Sequence, residues 1–187
     1  MDSADEKYMR EALREARAAF EEGEVPIGAV VVCRGRTVGK GHNMTELLHD
    51  PTAHAEMIAL TAATEALGGK YLSDCTIYVT VAPCPMCAAA LAWAQVGRIV
   101  WGSDDPKRGY SLFTAPAVSP GSPCSPASEG PGSSCPSGSA VTNVAGGPVP
   151  GAPDRRSLLH PKTVVERGVL AAESASLMAD FFKARRK

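Results

Sequence analysis

The residues of this chain best suited to chemistry are His54 and Glu56, separated by Ala55, and Cys84 and Cys87, spaced as C-x-x-C. An imidazole and two thiols offer a divalent metal three soft or borderline donors, a set that zinc accepts readily. Three protein ligands leave the fourth tetrahedral position of zinc open, as a catalytic site requires and a closed structural site does not. Zinc lowers the pKa of a bound water from about 15.7 toward 7, making hydroxide available at neutral pH. Glu56, two residues from one ligand, is placed to move protons to and from that water. Three ligands, an open position and an adjacent base describe a hydrolytic zinc enzyme.

Each motif alone has an ordinary alternative. A C-x-x-C pair in an intracellular protein serves redox chemistry as readily as metal binding, and a single buried histidine is more often a core residue than a ligand. Together, with Pro83 directly before Cys84, they match the zinc deaminase signature H-x-E…P-C-x-x-C.

Regular elements must hold these side chains in place. Ser3-Ala4-Asp5-Glu6 is a capping box. It opens a helix whose apolar residues Tyr8, Met9, Ala12, Leu13, Ala16, Ala19 and Phe20 share one face, and Gly23 ends it. Val25 to Cys33 and the run from Thr37 read as a hairpin turning at Arg34-Gly35. Asp50-Pro51 predicts a helix start, with His54 and Glu56 in its opening turns and an end near Leu67. Cys75 to Val81 predicts a strand aimed at Pro83-Cys84, where a third helix begins and sets both thiols at a helix N-terminus. Arg98 to Trp101 and Thr163 to Val169 predict further strands. A final helix over Glu173 to Arg186 has Leu177, Met178, Phe181 and Phe182 on its apolar side. Helices alternating with strands imply an α/β sheet layered by helices.

The 187 residues suit a single domain, and no apolar run is long enough to span a bilayer. The N-terminal residues are acidic and polar, unlike a secretory signal, and Cys33 and Cys75 lie in apolar strand-like runs; both favour a reduced, cytoplasmic protein. A net charge of −1 argues against a general polyanion binder, yet from Asp154 onward eight Lys or Arg face four Asp or Glu. That excess serves equally as a solvated helix end or as a phosphate contact. Between Ala115 and Pro153, 24 of 39 residues are Pro, Gly or Ser, so the segment reads as a disordered insertion within the domain. Its Cys124 and Cys135 have no histidine beside them and do not suggest a second metal site.

Beyond the zinc motif, the chain resembles the bacterial tRNA-specific adenosine deaminases. The similar stretches are Glu24 to Val30, Gly41-His42-Asn43, His49 to Met57, Val79-Thr80-Val81 with Pro83-Cys84, and the ending Phe181-Phe182-Lys183-Ala184-Arg185-Arg186. The resemblance implies a three-layer cytidine deaminase-like α/β fold, with a central mixed sheet of about five strands and helices on both faces. It implies hydrolytic conversion of adenosine to inosine at the tRNA wobble position, by a homodimer with one zinc per subunit. Carried over by residue, His54, Cys84 and Cys87 are the zinc ligands and Glu56 the proton shuttle. Asn43 and Ile27 fall in the substrate pocket, Asp105 and Lys107 beside the extruded nucleotide, and Phe182, Arg185 and Arg186 near the RNA. Family members usually have Glu where this chain has Ala82. Two other readings share the zinc site: a deaminase of free guanine or cytosine bases or nucleosides, and a catalytically silent, zinc-stabilised RNA-binding subunit. The first has no need of a basic C-terminal helix, and the second has no use for Glu56.

Overall fold

The computed structural model describes residues 3–113 and 158–186. The segment 115–153, with Cys124 and Cys135, lies outside them. Helix α1 spans Ala4–Glu21, and the Ser3 side chain caps it by accepting the Glu6 N–H at 3.2 Å. The expected face is the buried one, with Tyr8, Met9, Ala12, Leu13, Ala16 and Ala19 inside. Gly23, at φ 79°, then turns the chain away in the left-handed region that glycine tolerates.

Strands β1 (Gly28–Cys33) and β2 (Arg36–His42) form the hairpin, with positive φ at both Arg34 and Gly35 in the two-residue turn. Helix α2 (Ala55–Leu67), β3 (Cys75–Val81), α3 (Pro85–Trp93) and β4 (Arg98–Ser103) follow. A short 3₁₀ turn at Tyr110–Phe113, β5 (Val164–Arg167) and α4 (Ala171–Arg185) complete the described chain. The sheet order is β2-β1-β3-β4-β5, with β1 antiparallel to both neighbours and β3, β4 and β5 parallel. This is the mixed five-stranded sheet that the resemblance implies.

Alternation along the strands sends side chains to two separate cores. Val30, Val32, Tyr78 and Val100 pack under α1 with Tyr8, Met9 and Ala12. Val31, Ile77, Val79, Ile99 and Trp101 pack on the opposite face against Ala59, Leu60 and Ala63 of α2 and Ala88 and Leu91 of α3. Helix α4 joins the α1 side, where the Phe20 and Phe181 rings meet edge to face at 5.7 Å. Strand β3 is covered on both faces, so six of its seven residues are buried, Thr80 among them.

Two local expectations are corrected. Helix α2 begins at Ala55 rather than at Pro51. Asp50 spends its capping capacity on a tight turn, its Oδ1 accepting the Thr52 N–H at 2.8 Å and the Thr52 hydroxyl at 2.7 Å. The apolar side of α4 is only partly inside: Phe181 is buried, whereas Phe182 is 44% exposed. Cys33 and Cys75 sit opposite each other across β1 and β3 as free thiols. Burial and the neighbouring Cys33 push the Cys75 thiol up to about 12.

Candidate active site and metal centre

His54 and Cys84 are the N-cap residues of α2 and α3, both in extended backbone conformation and neither using its side chain to cap. Their backbone carbonyls open the helices, accepting from Ile58 at 3.1 Å and Ala88 at 2.9 Å, which leaves the side chains free to turn inward. Cys87 follows one turn into α3 and is fully buried. Two helix N-termini therefore converge on one point, and their partial positive charge favours thiolate there.

His54 Nδ1 lies 3.7 Å from Cys84 Sγ and 3.5 Å from Cys87 Sγ. Zinc bonds of about 2.3 Å to sulfur and about 2.0 Å to nitrogen, at a tetrahedral angle, place S and N about 3.5 Å apart. Both measured separations match that edge, and all three donor atoms lie within 4.8 Å of one another. The donor set fits zinc in chemistry and in spacing. Among the described residues it is the one such cluster of histidine, cysteine and carboxylate side chains.

The three groups already share charge. Hydrogen bonding from Cys87 lowers the Cys84 thiol to about 4 against the opposing effect of burial, with His54 adding to the lowering. Cys87 is driven strongly upward by its bond to Cys84 and by burial, so it keeps its own proton and donates it in a hydrogen bond to the Cys84 sulfur. His54 is raised by Cys84. A coordinated metal ion displaces such a thiol proton and makes both sulfurs ligands.

Glu56, in the first turn of α2, is only 3% exposed. Burial raises its carboxyl pKa, opposed by a hydrogen bond from its own backbone N–H, and Cys87 is within its hydrogen-bonding reach. It stands beside the ligand cluster without belonging to it. Asn43 is buried at the end of β2, and its backbone N–H donates to the Ile27 carbonyl at 3.0 Å, so these two residues are brought together. Asp105 Oδ1 accepts the N–H groups of Lys107 and Arg108 at 2.9 and 3.0 Å, shaping a loop that returns through the Tyr110 N–H to the Pro83 carbonyl at 2.9 Å. That bond ties the loop to the residue before Cys84, and the Arg108 charge acts on His54.

The C-terminal residues divide. The Arg185 guanidinium donates to the Gly23 carbonyl and stacks on Phe181, 4.7 Å from the ring centroid, so it fastens α4 to the end of α1. Met178, Ala179, Phe182, Lys183 and Arg186 instead line an open groove of about 440 Å³. Ala82 packs its methyl on the core and donates its N–H to the Ser103 carbonyl at 2.8 Å. Glu24, to which neither motif nor spacing gives a role, is buried against Asn43. The available signal was a lone acid placed between a helix-ending glycine and an apolar strand.

A layered α/β sheet presenting His, Cys and Cys donors with a buried glutamate beside them defines a zinc-dependent deaminase domain. Residues 2–103 match the cytidine and deoxycytidylate deaminase zinc-binding region. The tRNA-specific adenosine deaminase of Aquifex aeolicus is 47% identical over 104 residues, covering 56% of this chain and 69% of that protein. The chloroplastic tRNA(adenine(34)) deaminase of Arabidopsis thaliana is 40% identical over 98% of this chain, which spans only 12% of that much longer protein. A solved structure from work on A-to-I editing by tRNA:A34 deaminases at the wobble position superposes with TM-score 0.65 at 33% identity, covering 91% of this chain and 98% of that one. The chain belongs to the tRNA-specific adenosine deaminase family.

Proposed function

We propose that this protein deaminates adenosine to inosine at the wobble position of tRNA anticodons, as a cytoplasmic homodimer whose subunits each hold one zinc through His54, Cys84 and Cys87. The observation that carries the reading is a buried Glu56 beside a tetrahedrally spaced ligand cluster, in a chain whose relatives are named for this reaction. Zinc, when bound, supplies the Lewis acidity that makes water nucleophilic near neutral pH. Glu56 takes a proton from the attacking water at its carboxylate and delivers it to ring N1. It then carries a second proton to the amine at C6, so that one water is consumed, one ammonia leaves and C6 becomes a carbonyl carbon. A carboxyl raised by burial suits a group that must both take and give a proton.

Asn43 and Ile27 line the substrate pocket in this reading, and the Asp105–Lys107 loop stands beside the flipped nucleotide. A single-stranded anticodon loop releases its base at low cost, which suits a metal centre recessed between two helix starts. Phe182 and Arg186, with Lys183 between them, offer an aromatic face and positive charge to the RNA. Arg185 acts indirectly, by anchoring the helix that carries them. A subunit contact would have large apolar side chains to cover, with Trp93 84%, Leu47 60% and Leu48 54% exposed. A single domain interrupted at 115–153 is supported by β4 and β5, which flank that segment and pair in one sheet. Among the described residues no helix is long and apolar enough to cross a membrane.

The test is a substrate panel: an anticodon stem-loop with adenosine at the wobble position, against free guanine, cytidine and adenosine. Inosine in the stem-loop, with little turnover of the free compounds, is the expected result. Turnover of guanine with none on RNA overturns the reading.

A further inference from the structure

Glu24 is a carboxyl side chain 1% exposed, with four donors arranged around it. Its position follows from the end of α1, where Gly23 reverses the chain and the Glu24 N–H donates to the Ala19 carbonyl at 2.8 Å. The side chain then crosses to the loop after β2. Oε1 accepts the backbone N–H groups of Glu46 and Leu47, both at 2.8 Å. Oε2 accepts from Asn43 Nδ2 at 2.9 Å and from the Thr45 hydroxyl at 3.2 Å. Asn43 Nδ2 gives its other hydrogen to Thr45 Oγ1 at 3.0 Å, closing a ring of three side chains. A buried carboxylate is tolerated only when its lone pairs are satisfied in this way.

The ring has a directional consequence. Both hydrogens of the Asn43 amide are committed, one to a carboxylate that accepts and cannot donate. Turning the amide over would set Asn43 Oδ1 against Glu24 Oε2, acceptor against acceptor, and leave Thr45 without its donor. The backbone is pinned as well, through the Asn43 N–H on the Ile27 carbonyl. Asn43 Oδ1 is therefore the one group this amide has left to offer, and it is an acceptor.

We propose that Glu24 is a positioning residue that locks the Asn43 amide with its oxygen toward the substrate, so that the pocket demands a hydrogen-bond donor at that point. This rests on the reading of Asn43 as a pocket residue. Glu24→Gln preserves shape but turns an NH₂ group toward Asn43 once its oxygen keeps the Glu46 and Leu47 N–H groups. Donor then faces donor, the Asn43 amide turns over, and the pocket meets NH₂ where it had oxygen. The paired variant Glu24→Gln with Asn43→Asp restores the match. The carboxylate introduced by Asn43→Asp accepts from the NH₂ introduced by Glu24→Gln and still presents an oxygen outward.

Three measurements test this on the full-length zinc-loaded protein. Steady-state kinetics are run on whichever of the stem-loop, guanine, cytidine or adenosine the wild type turns over, so failure of the tRNA reading is seen separately in the wild type's choice of substrate. Glu24→Gln is expected to lose about 10- to 100-fold in kcat/KM with zinc content unchanged, and the paired variant to recover most of that loss. Independently of activity, the side-chain NH₂ protons of Asn43, identified by their disappearance in Asn43→Asp, should exchange slowly with solvent in wild type and rapidly in Glu24→Gln. Wild-type kinetics and slow NH₂ exchange in Glu24→Gln would overturn the proposal. Should that variant fail to fold, a paired variant that folds, binds zinc and stays as inactive as Asn43→Ala would overturn it equally.

Discussion

Gly41 on β2 lies under the first turn of α2, and the metal centre depends on how closely the two approach. A Cβ added there would fall 2.8 Å from the Ala55 carbonyl oxygen, the Ala59 nitrogen and the Ile58 Cβ. Ordinary contact begins near 3.4 Å, so about 0.6 Å of separation must be found against two backbone atoms that cannot rotate away. Ala55 sits between His54 and Glu56, and any retreat of the helix start carries both with it. Overpacking of this kind costs about 1–3 kcal/mol, of which the lower chain entropy of alanine returns about 0.4–1. The net of about 1–2 kcal/mol should lower Tm by about 2–8 °C in a chain of this length. The shift exceeds the ~0.2 Å within which ligand distances must fall, so zinc affinity should drop by at least about tenfold. Gly69→Ala is the control, since a Cβ there meets nothing within 4 Å and its backbone is unstrained. Chelator competition and thermal unfolding would be read side by side. Wild-type zinc affinity and Tm in Gly41→Ala would show that the helix start does not need this close approach.

Other outcomes follow from the same geometry. Cys87→Ala should lose zinc and lower Tm beyond a simple side-chain deletion, because the site joins the starts of α2 and α3; metal analysis and calorimetry check this. Asp5 is held below its ordinary 3.8 chiefly by hydrogen bonds from Arg98, against burial and aided by Tyr78, so its stabilising effect is complete above about pH 4 and is lost as pH falls further. Asp5→Asn should therefore cost about 1.5–3 kcal/mol in urea unfolding at pH 7, with the gap to wild type closing in acid. Lys183→Ala with Arg186→Ala should weaken stem-loop binding and flatten its salt dependence while leaving Tm near wild type, whereas Arg185→Ala should lower Tm by freeing α4 from Gly23.

The parts of this molecule governed by short-range pattern were legible in the sequence, and the parts governed by distant partners were not. The α1 face and β3 follow from the spacing of their apolar residues, and the ligand cluster from two short motifs whose side chains the fold brings within reach of one metal ion. Asp50-Pro51 misled because the same residues that cap a helix also close an isolated turn, and only the Thr52 contacts decide between them. In α4, spacing identifies an apolar stripe but not how much of it finds a partner, so Phe181 is buried and the adjacent Phe182 is not. Glu24 escaped for the plainest reason: its donors come from residues 43 to 47, across the whole β1–β2 hairpin. Arg185 likewise meets Gly23 from the far end of the chain.

Single-turnover inosine formation by Glu56→Gln on the wobble-adenosine stem-loop tests the central claim most directly. The substitution keeps the shape of the side chain and removes its capacity to carry a proton. One zinc per chain, unchanged stem-loop affinity and a rate reduced by at least about 10²-fold are the predicted result. A zinc-loaded Glu56→Gln protein that forms inosine at the wild-type rate would contradict it.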